Sequence, residues 1–264
     1  MNLEDVSVGK SGETEFVGMS GTLTLDKFEA AHPEVADAIL ALSEGKMVLV
    51  FDAEGREEET DMMVASQFVT PGVIRTMRKH AGGLICTTMT AGTREKLGLP
   101  YLSDLIQGSS DRFPALSGLI PDDIPYDEVS AFSLTINHRR TFTGITDEDR
   151  AMTITTFAEL AGECGEKEAG WCRQELGARF RSPGHVHLLT CSPWLLVKRQ
   201  GHTELTTALT IMARLTRSAT ICEMMGDDGK ARNKASASRW AEEHGYPYLE
   251  GKHVLEAWRA WSGY

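Results

Sequence analysis

The sequence predicts an α/β (or α+β) protein, a single domain with a mixed central sheet flanked by helices. Three observations carry this reading. Apolar runs of strand length recur at Lys46–Phe51, Met62–Ala65, Gly83–Thr87, Phe132–Ile136, Val186–Thr190 and Ala219–Met224. Stretches with helical periodicity and capping residues lie between them. The two kinds of element do not alternate strictly, so a purely parallel sheet is not expected.

Residues 1–30 are polar, glycine-containing and weakly periodic, and read as a flexible lead-in; residues 31–264 read as the domain itself. From Pro33 the pattern turns helical, with Val35, Ile39 and Leu42 on one face and an end near Gly45. The run to Phe51 then reads as a buried strand. Thr70-Pro71 is a helix start, threonine as cap and proline at the first helical position. Phe132, Leu134 and Ile136 alternate with Ser133 and Thr135, the period of a half-buried strand. Thr146 through Asp149 reads as a capping box opening a helix toward Leu160. Residues 162–184 are rich in glycine, charge and proline, which suggests a surface excursion. A helix is expected from about Thr203 to Leu215. Asp227-Asp228-Gly229 is a turn signal before two last helices, around Ser236–His244 and Val254–Trp261.

Composition narrows the function classes. Of 264 residues, 41% are hydrophobic, enough for an ordinary core. The formal net charge of −11 argues against non-specific nucleic-acid binding, which needs a basic face. It leaves a small anionic substrate open, because a few local cations can dominate one pocket. No run approaches the ~20 apolar residues of a membrane span. The N-terminus, with Glu4 and Asp5, lacks the apolar stretch of a secretory signal. Five cysteines form no C-x-x-C pair, a pattern of reduced thiols in a cytoplasm rather than of a disulfide framework.

The segment Asp52-Ala-Glu54-Gly-Arg56-Glu57-Glu58-Glu59-Thr60-Asp61 is the most informative in the chain. It crowds six carboxylates and one arginine between two apolar runs. Two carboxylates ~4 Å apart repel by about 4 kcal/mol at an effective dielectric of 20. A cation, protonation or an arginine partner must relieve that. If residues 57–61 are extended, Glu57, Glu59 and Asp61 share one face. Such oxygen ligands suit magnesium or manganese; the alternative is a solvated charged turn.

A second constellation is Arg181-Ser-Pro-Gly-His185, then Lys198-Arg-Gln-Gly-His-Thr-Glu204. With Thr203 as N-cap, a helix N-terminus plus Arg199 makes a phosphate cradle; an ordinary capped helix with a surface arginine is the plainer reading. His185 is either a structural histidine or a proton carrier. Glu223, ending an apolar strand, is either an exposed strand terminus or a catalytic acid/base at the mouth of the sheet.

Taken together, these pieces resemble 3,4-dihydroxy-2-butanone 4-phosphate synthase over about Ala31 to Trp258. The carriers are Phe51-Asp52 through Arg56-Glu57-Glu58-Glu59-Thr60-Asp61-Met62, Gly83-Leu-Ile-Cys86, Thr143-Gly-Ile-Thr-Asp-Glu-Asp-Arg150, Ser182-Pro-Gly-His185, Arg199-Gln-Gly-His-Thr203, and Cys222-Glu223 ahead of Asp227-Asp228-Gly229. Thr60 replaces a glycine common in bacterial members and, with Met62 and the Phe180–Gly184 stretch, gives the chain the look of the archaeal-type branch. With the sequence ending at Tyr264, the GTP cyclohydrolase II domain fused to many relatives is not expected.

The resemblance implies a lyase that converts ribulose 5-phosphate, with magnesium (or manganese), to a four-carbon phosphate and formate for riboflavin. It implies Glu57 and His202 as metal ligands. Arg199, Gly201 and Thr203 are implied as phosphate binders, with Gln200 in the same motif. Arg56 and Asp61 fall at sugar contacts, and His185 and Glu223 match the essential acid/base pair. Asp52, Glu59, Cys86 and Thr143 match further active-site positions, and Cys86 also reads as a plain strand residue. The family is dimeric with sites near the subunit interface, so a cytoplasmic homodimer is expected. Enolisation needs a base, and Glu223, Glu59 or Asp52 could serve; His185 suits proton donation to a leaving hydroxyl. Two other classes share these features: a metal-dependent sugar-phosphate isomerase or aldolase, and a non-catalytic sugar-phosphate binding module.

Overall fold

A computed structural model describes residues 25–120, 123–127 and 129–263. Seven strands form one mixed sheet: β1 Val48–Phe51, β2 Thr60–Ala65, β3 Cys86–Met89, β4 Phe132–His138, β5 Phe180–Thr190, β6 Ala219–Glu223 and β7 Tyr248–Glu250. Their order is β4-β5-β3-β6-β2-β1-β7. β1 runs parallel to β7 and β3 parallel to β5, while the remaining neighbours are antiparallel. The mixed α/β architecture expected from non-alternating elements is the one observed.

Ten helices are seen among the described residues: α1 Leu25–Ala31, α2 Pro33–Ser43, α3 Pro71–Thr76, α4 Ala91–Leu97, α5 Leu102–Gly108, α6 Asp147–Cys164, α7 Ala169–Arg179, α8 His202–Met212, α9 Lys234–His244 and α10 Gly251–Ser262. They cover both faces of the sheet. On one face Leu49, Met62, Val64, Leu188 and Cys222 pack with Ile74 of α3, Ile154 and Phe157 of α6 and Ala237 of α9. On the other, Val48, Val50, Met63, Cys86 and Ile221 pack with Leu42 of α2, Leu205 and Leu209 of α8 and Trp258 of α10. Double coverage is why β1 reads as a continuous apolar run and not as an alternation.

Local signals place several helix ends. Thr70 Oγ1 accepts from Val73 N at 3.2 Å, with Pro71 at the first helical position. Thr146 Oγ1 accepts from Asp149 N at 3.1 Å, but the Asp149 carboxylate reaches past the cap to Gly144 N at 2.8 Å, so only the threonine half of the expected capping box forms. Gly229, at φ +81°, makes the turn after Asp228.

Several expectations are corrected. Residues 162–184 are not an excursion: α6 runs to Cys164, α7 occupies Ala169–Arg179, and β5 starts at Phe180. Of α7 only Cys172 is buried, so no apolar stripe announced it. α8 starts one residue before Thr203, with Gly201 as a cap that has no side chain to offer. β3 begins at Cys86, because Gly83 and Leu84 instead embrace the end of β6. Of the proposed lead-in, residues 1–24 lie outside the described residues, while α1 covers Leu25–Ala31 and buries Phe28.

Candidate active site

The site lies at one end of the central strands, on the face that α8 covers. β1 delivers Asp52, β2 delivers Asp61 and β6 delivers Glu223; Asp61 and Glu223 are paired across the β2/β6 ladder. The loop from Asp52 to Thr60 is organised by Asp52 itself. Its buried carboxylate accepts from the N–H groups of Glu57 (3.0 Å) and Glu59 (3.1 Å) and from Arg56 Nη1 (3.2 Å). Gly55 at φ +77° and Glu58 at φ +58° turn the loop. Residues 57–61 are thus not one extended strand; a turn braced by Asp52, rather than simple alternation, brings Glu57, Glu59 and Asp61 to one wall.

That wall encloses a cavity of about 320 Å³. Arg56, Glu57, Glu59, Asp61, Cys86, Arg199, His202, Thr203 and Glu223 all line it, as do Tyr126, Asp127 and Phe132. The cavity thus gathers residues from four motifs far apart in the chain. Asp52 is buried behind it with both oxygens engaged; Gln200 is exposed and outside the lining.

One end of the cavity is acidic. His202 is buried, its Nδ1 lies 3.2 Å from Glu57 Oε2, and its Nε2 lies 3.2 Å from the Glu59 carbonyl oxygen and 3.8 Å from Asp61 Oδ1. Burial disfavours a charged ring, but the Asp61 charge and the hydrogen bond with Glu57 outweigh it and raise His202 to about 9. Burial likewise works against Glu57, yet His202 and Arg56 hold it down at about 2. Burial, then the crowding of Glu223 and Glu57, pushes Glu59 up. Asp61 is raised further by burial and has an oxygen, Oδ1, with no hydrogen-bond partner.

Donor atoms of Asp52, Glu57 and His202 come within 4.8 Å of one another. Two carboxylates and an imidazole, with an orphaned carboxylate oxygen on Asp61 beside them, fit a hard divalent cation.

The other end is cationic. Arg199 donates to Asp127 and, at 2.5 Å, to Glu204, and Arg56 pairs with Glu57 at 2.8 Å and stacks over the Tyr126 ring. The N–H groups of His202 and Thr203 precede the first intrahelical bonds of α8, which run from Glu204 N and Leu205 N to the Gly201 carbonyl at 3.0 and 2.9 Å. Gly201 lets both guanidinium groups approach the backbone here: a Cβ would displace those of Arg199 and Arg56.

Glu223 Oε2 accepts from Leu84 N at 2.7 Å, and a Cβ on Gly83 would strike the same glutamate. Glycine at 83 therefore fixes where the carboxylate sits. Cys86 is pushed well above its usual range by burial and then by Glu223, so it remains a thiol in the wall.

His185 and Thr143 are not in the lining. Both are exposed and share a separate cluster: Asn137 Oδ1 accepts from His185 N at 2.8 Å, Asn137 Nδ2 lies 3.1 Å from His185 Nδ1, and it donates to the Thr143 carbonyl at 3.2 Å. His187, two residues on, pairs with Cys86 of β3, whereas His185 closes an irregular stretch of β5 in which the register with β4 jumps from Ile136↔Val186 to Asn137↔Arg181. β3 separates β5 from β6, which sets His185 and Glu223 roughly two strand spacings, ~10 Å, apart. Sequence reasoning missed Asp127, Tyr126 and Asn137. Asp127 and Tyr126 lie outside every helix and strand, and nothing periodic or motif-like marked them.

The sequence model of the 3,4-dihydroxy-2-butanone 4-phosphate synthase family matches residues 36–257. The chain is 48% identical over 225 residues to the 3,4-dihydroxy-2-butanone 4-phosphate synthase of Methanothermobacter thermautotrophicus, covering 85% of this chain and 95% of that one. The crystal structure of the Candida albicans synthase superposes with a TM-score of 0.64 at 26% identity, covering 84% and 95%. A synthase crystallised in complex with two magnesium ions shares the fold, with a TM-score of 0.65 at 23% identity over 86% and 96%.

Proposed function

The chain belongs to the 3,4-dihydroxy-2-butanone 4-phosphate synthase family of riboflavin biosynthesis, and we propose that this cavity carries the family's reaction. That reaction turns D-ribulose 5-phosphate into L-3,4-dihydroxy-2-butanone 4-phosphate and formate. One observation carries the reading: a cation-binding corner, a basic anion seat and the carboxylates of Glu59 and Glu223 converge in one small cavity.

The roles follow from position. Arg199 and Thr203, at the start of α8, suit the phosphate, and Arg56 and Asp61 suit the sugar end. Glu57 and His202 would hold a magnesium ion, with manganese an acceptable substitute. A divalent ion there supplies Lewis-acid stabilisation of negative charge on the substrate oxygens. Glu59 and Glu223 face the space between these ends. Burial and the neighbouring Glu223 charge raise the Glu59 carboxyl, which favours its holding a proton, and Glu223, anchored by Leu84 N, presents its other oxygen as a base for enolisation. His185, on β5 two residues before the Cys86 partner His187, suits donation to a leaving hydroxyl.

Formate release separates this function from an isomerase or aldolase, neither of which produces it, and from a silent binding module. Among the described residues no helix is long and apolar enough to cross a membrane. A cytoplasmic homodimer fits a chain that leaves Phe132 at the cavity wall and Val129 beside it exposed to 36% and 57%; light scattering should give twice the chain mass, and a monomer would contradict it.

Arg199→Ala should mainly weaken substrate binding. Loss of a charge-assisted hydrogen bond costs about 1.5–3 kcal/mol, or roughly 10- to 150-fold in apparent affinity. Unchanged KM for ribulose 5-phosphate would show that the phosphate lies elsewhere.

A further inference from the structure

Asp127 pairs with both arginines of the cavity. Its Oδ2 accepts from Arg56 Nη2 at 2.7 Å and from Arg199 Nε and Nη2 at 3.0 and 2.5 Å. A single anionic oxygen therefore sits between two guanidinium groups. On Arg199 it occupies the Nε–Nη2 edge, one of the paired-donor edges with which arginine grips phosphate. These side chains are 11–17% exposed, so water competes weakly with the pairing.

We propose that Asp127 is an internal stand-in for the substrate's phosphate, seated between Arg56 and Arg199 until a phosphomonoester dianion displaces it. The inference rests on the reading of Arg199 as the phosphate-binding arginine.

The charge balance of the cavity supports displacement over co-occupancy. Arg199 is already engaged by Glu204, and Arg56 by Asp52 and Glu57. Glu59, Asp61 and Glu223 line the same space. A phosphate entering with Asp127 still in place would meet a carboxylate at the very donors it needs. Exchange avoids this, because the dianion takes over the donors that the carboxylate gives up. Asp127 belongs to neither a helix nor a strand, so its withdrawal breaks no ladder hydrogen bond.

Selectivity follows. A monoanion such as formate offers the arginines no more charge than the tethered carboxylate already does. A phosphate dianion offers twice as much. The seat therefore favours phosphomonoesters and resists occupation by the released carboxylate.

The test is calorimetric titration of the full chain, in magnesium, with inorganic phosphate as the probe. Asp127→Asn keeps the shape and one acceptor while removing the competing charge; Asp127→Ser removes the carboxylate altogether. Both should bind phosphate about tenfold more tightly than the native chain, and KM for ribulose 5-phosphate should fall in parallel. Arg199→Ala should bind it more weakly. If Arg199→Ala loses phosphate while both Asp127 variants bind it no better, or worse, Asp127 only holds the arginines in place and the stand-in is wrong. If phosphate binding is indifferent to Arg199, the phosphate seat is misplaced and the stand-in falls with it.

Discussion

Glu223→Gln and His185→Asn are each expected to lower the turnover of ribulose 5-phosphate by about 10²–10⁴-fold, the usual contribution of a general acid or base. Both substitutions nearly keep shape, so folding and cation binding should survive. Glu223 can lose its charge without losing its place, since Gly83 leaves room for the side chain and Leu84 N can still donate to an amide oxygen. His185 stands apart from the cavity lining, in a cluster with Asn137 of β4 and Thr143 of the loop after it, so its loss should leave the acidic corner intact. The double variant should lose less than the product of the two single losses, because groups serving one reaction sequence are not additive. His187→Asn is the control. That ring is half-buried, packs edge-on against Phe132 and has no partner for Nδ1, so its replacement should cost little activity. If His187→Asn abolishes formate release and His185→Asn does not, the proton donor has been placed two residues too early.

Chelation should have an effect of similar size. Lewis-acid stabilisation contributes several kcal/mol, and at ~1.4 kcal/mol per tenfold this is roughly 10³-fold in rate. Activity should vanish in EDTA and return with magnesium or manganese, and Glu57→Gln should need far more metal for the same rate. A second readout follows from charge. In the metal-free protein His202 is raised to about 9, so at pH 7.5 the ring is mostly protonated, and a proton must leave before its nitrogen can become a ligand. Cation uptake at that pH should therefore release a proton, seen as a dependence of the calorimetric heat on buffer ionisation enthalpy. Full activity in chelator, with the protein shown to be metal-free, would sink the cation corner.

The elements with local signals were legible from the sequence. The buried run Val48–Phe51, the capped starts at Thr70 and Thr146 and the turn at Gly229 rest on neighbours within a few residues. The acidic loop was legible because six like charges between two apolar runs have to be relieved by something. Its geometry was not, since the brace is Asp52 accepting from two amides of the loop and the bend needs Glu58 at a positive φ. α7 was hidden because its first turn carries Gly170 and its apolar contact with the core is no more than buried Cys172 and the flanks of Trp171 and Leu176. β7 was hidden by being three residues long. Asp127 could not have been found: its partners lie 71 and 72 residues away, and only the folded chain brings them together.

The central claim is that this cavity breaks a carbon–carbon bond of a sugar phosphate. The most direct measurement is the carbon balance by NMR of ribulose 5-phosphate incubated with the protein and magnesium. One formate and one four-carbon phosphate should appear for each substrate consumed, and neither should form with the Glu223→Gln protein. Consumption that yields only five-carbon isomers, or two sugar fragments without formate, would contradict the account.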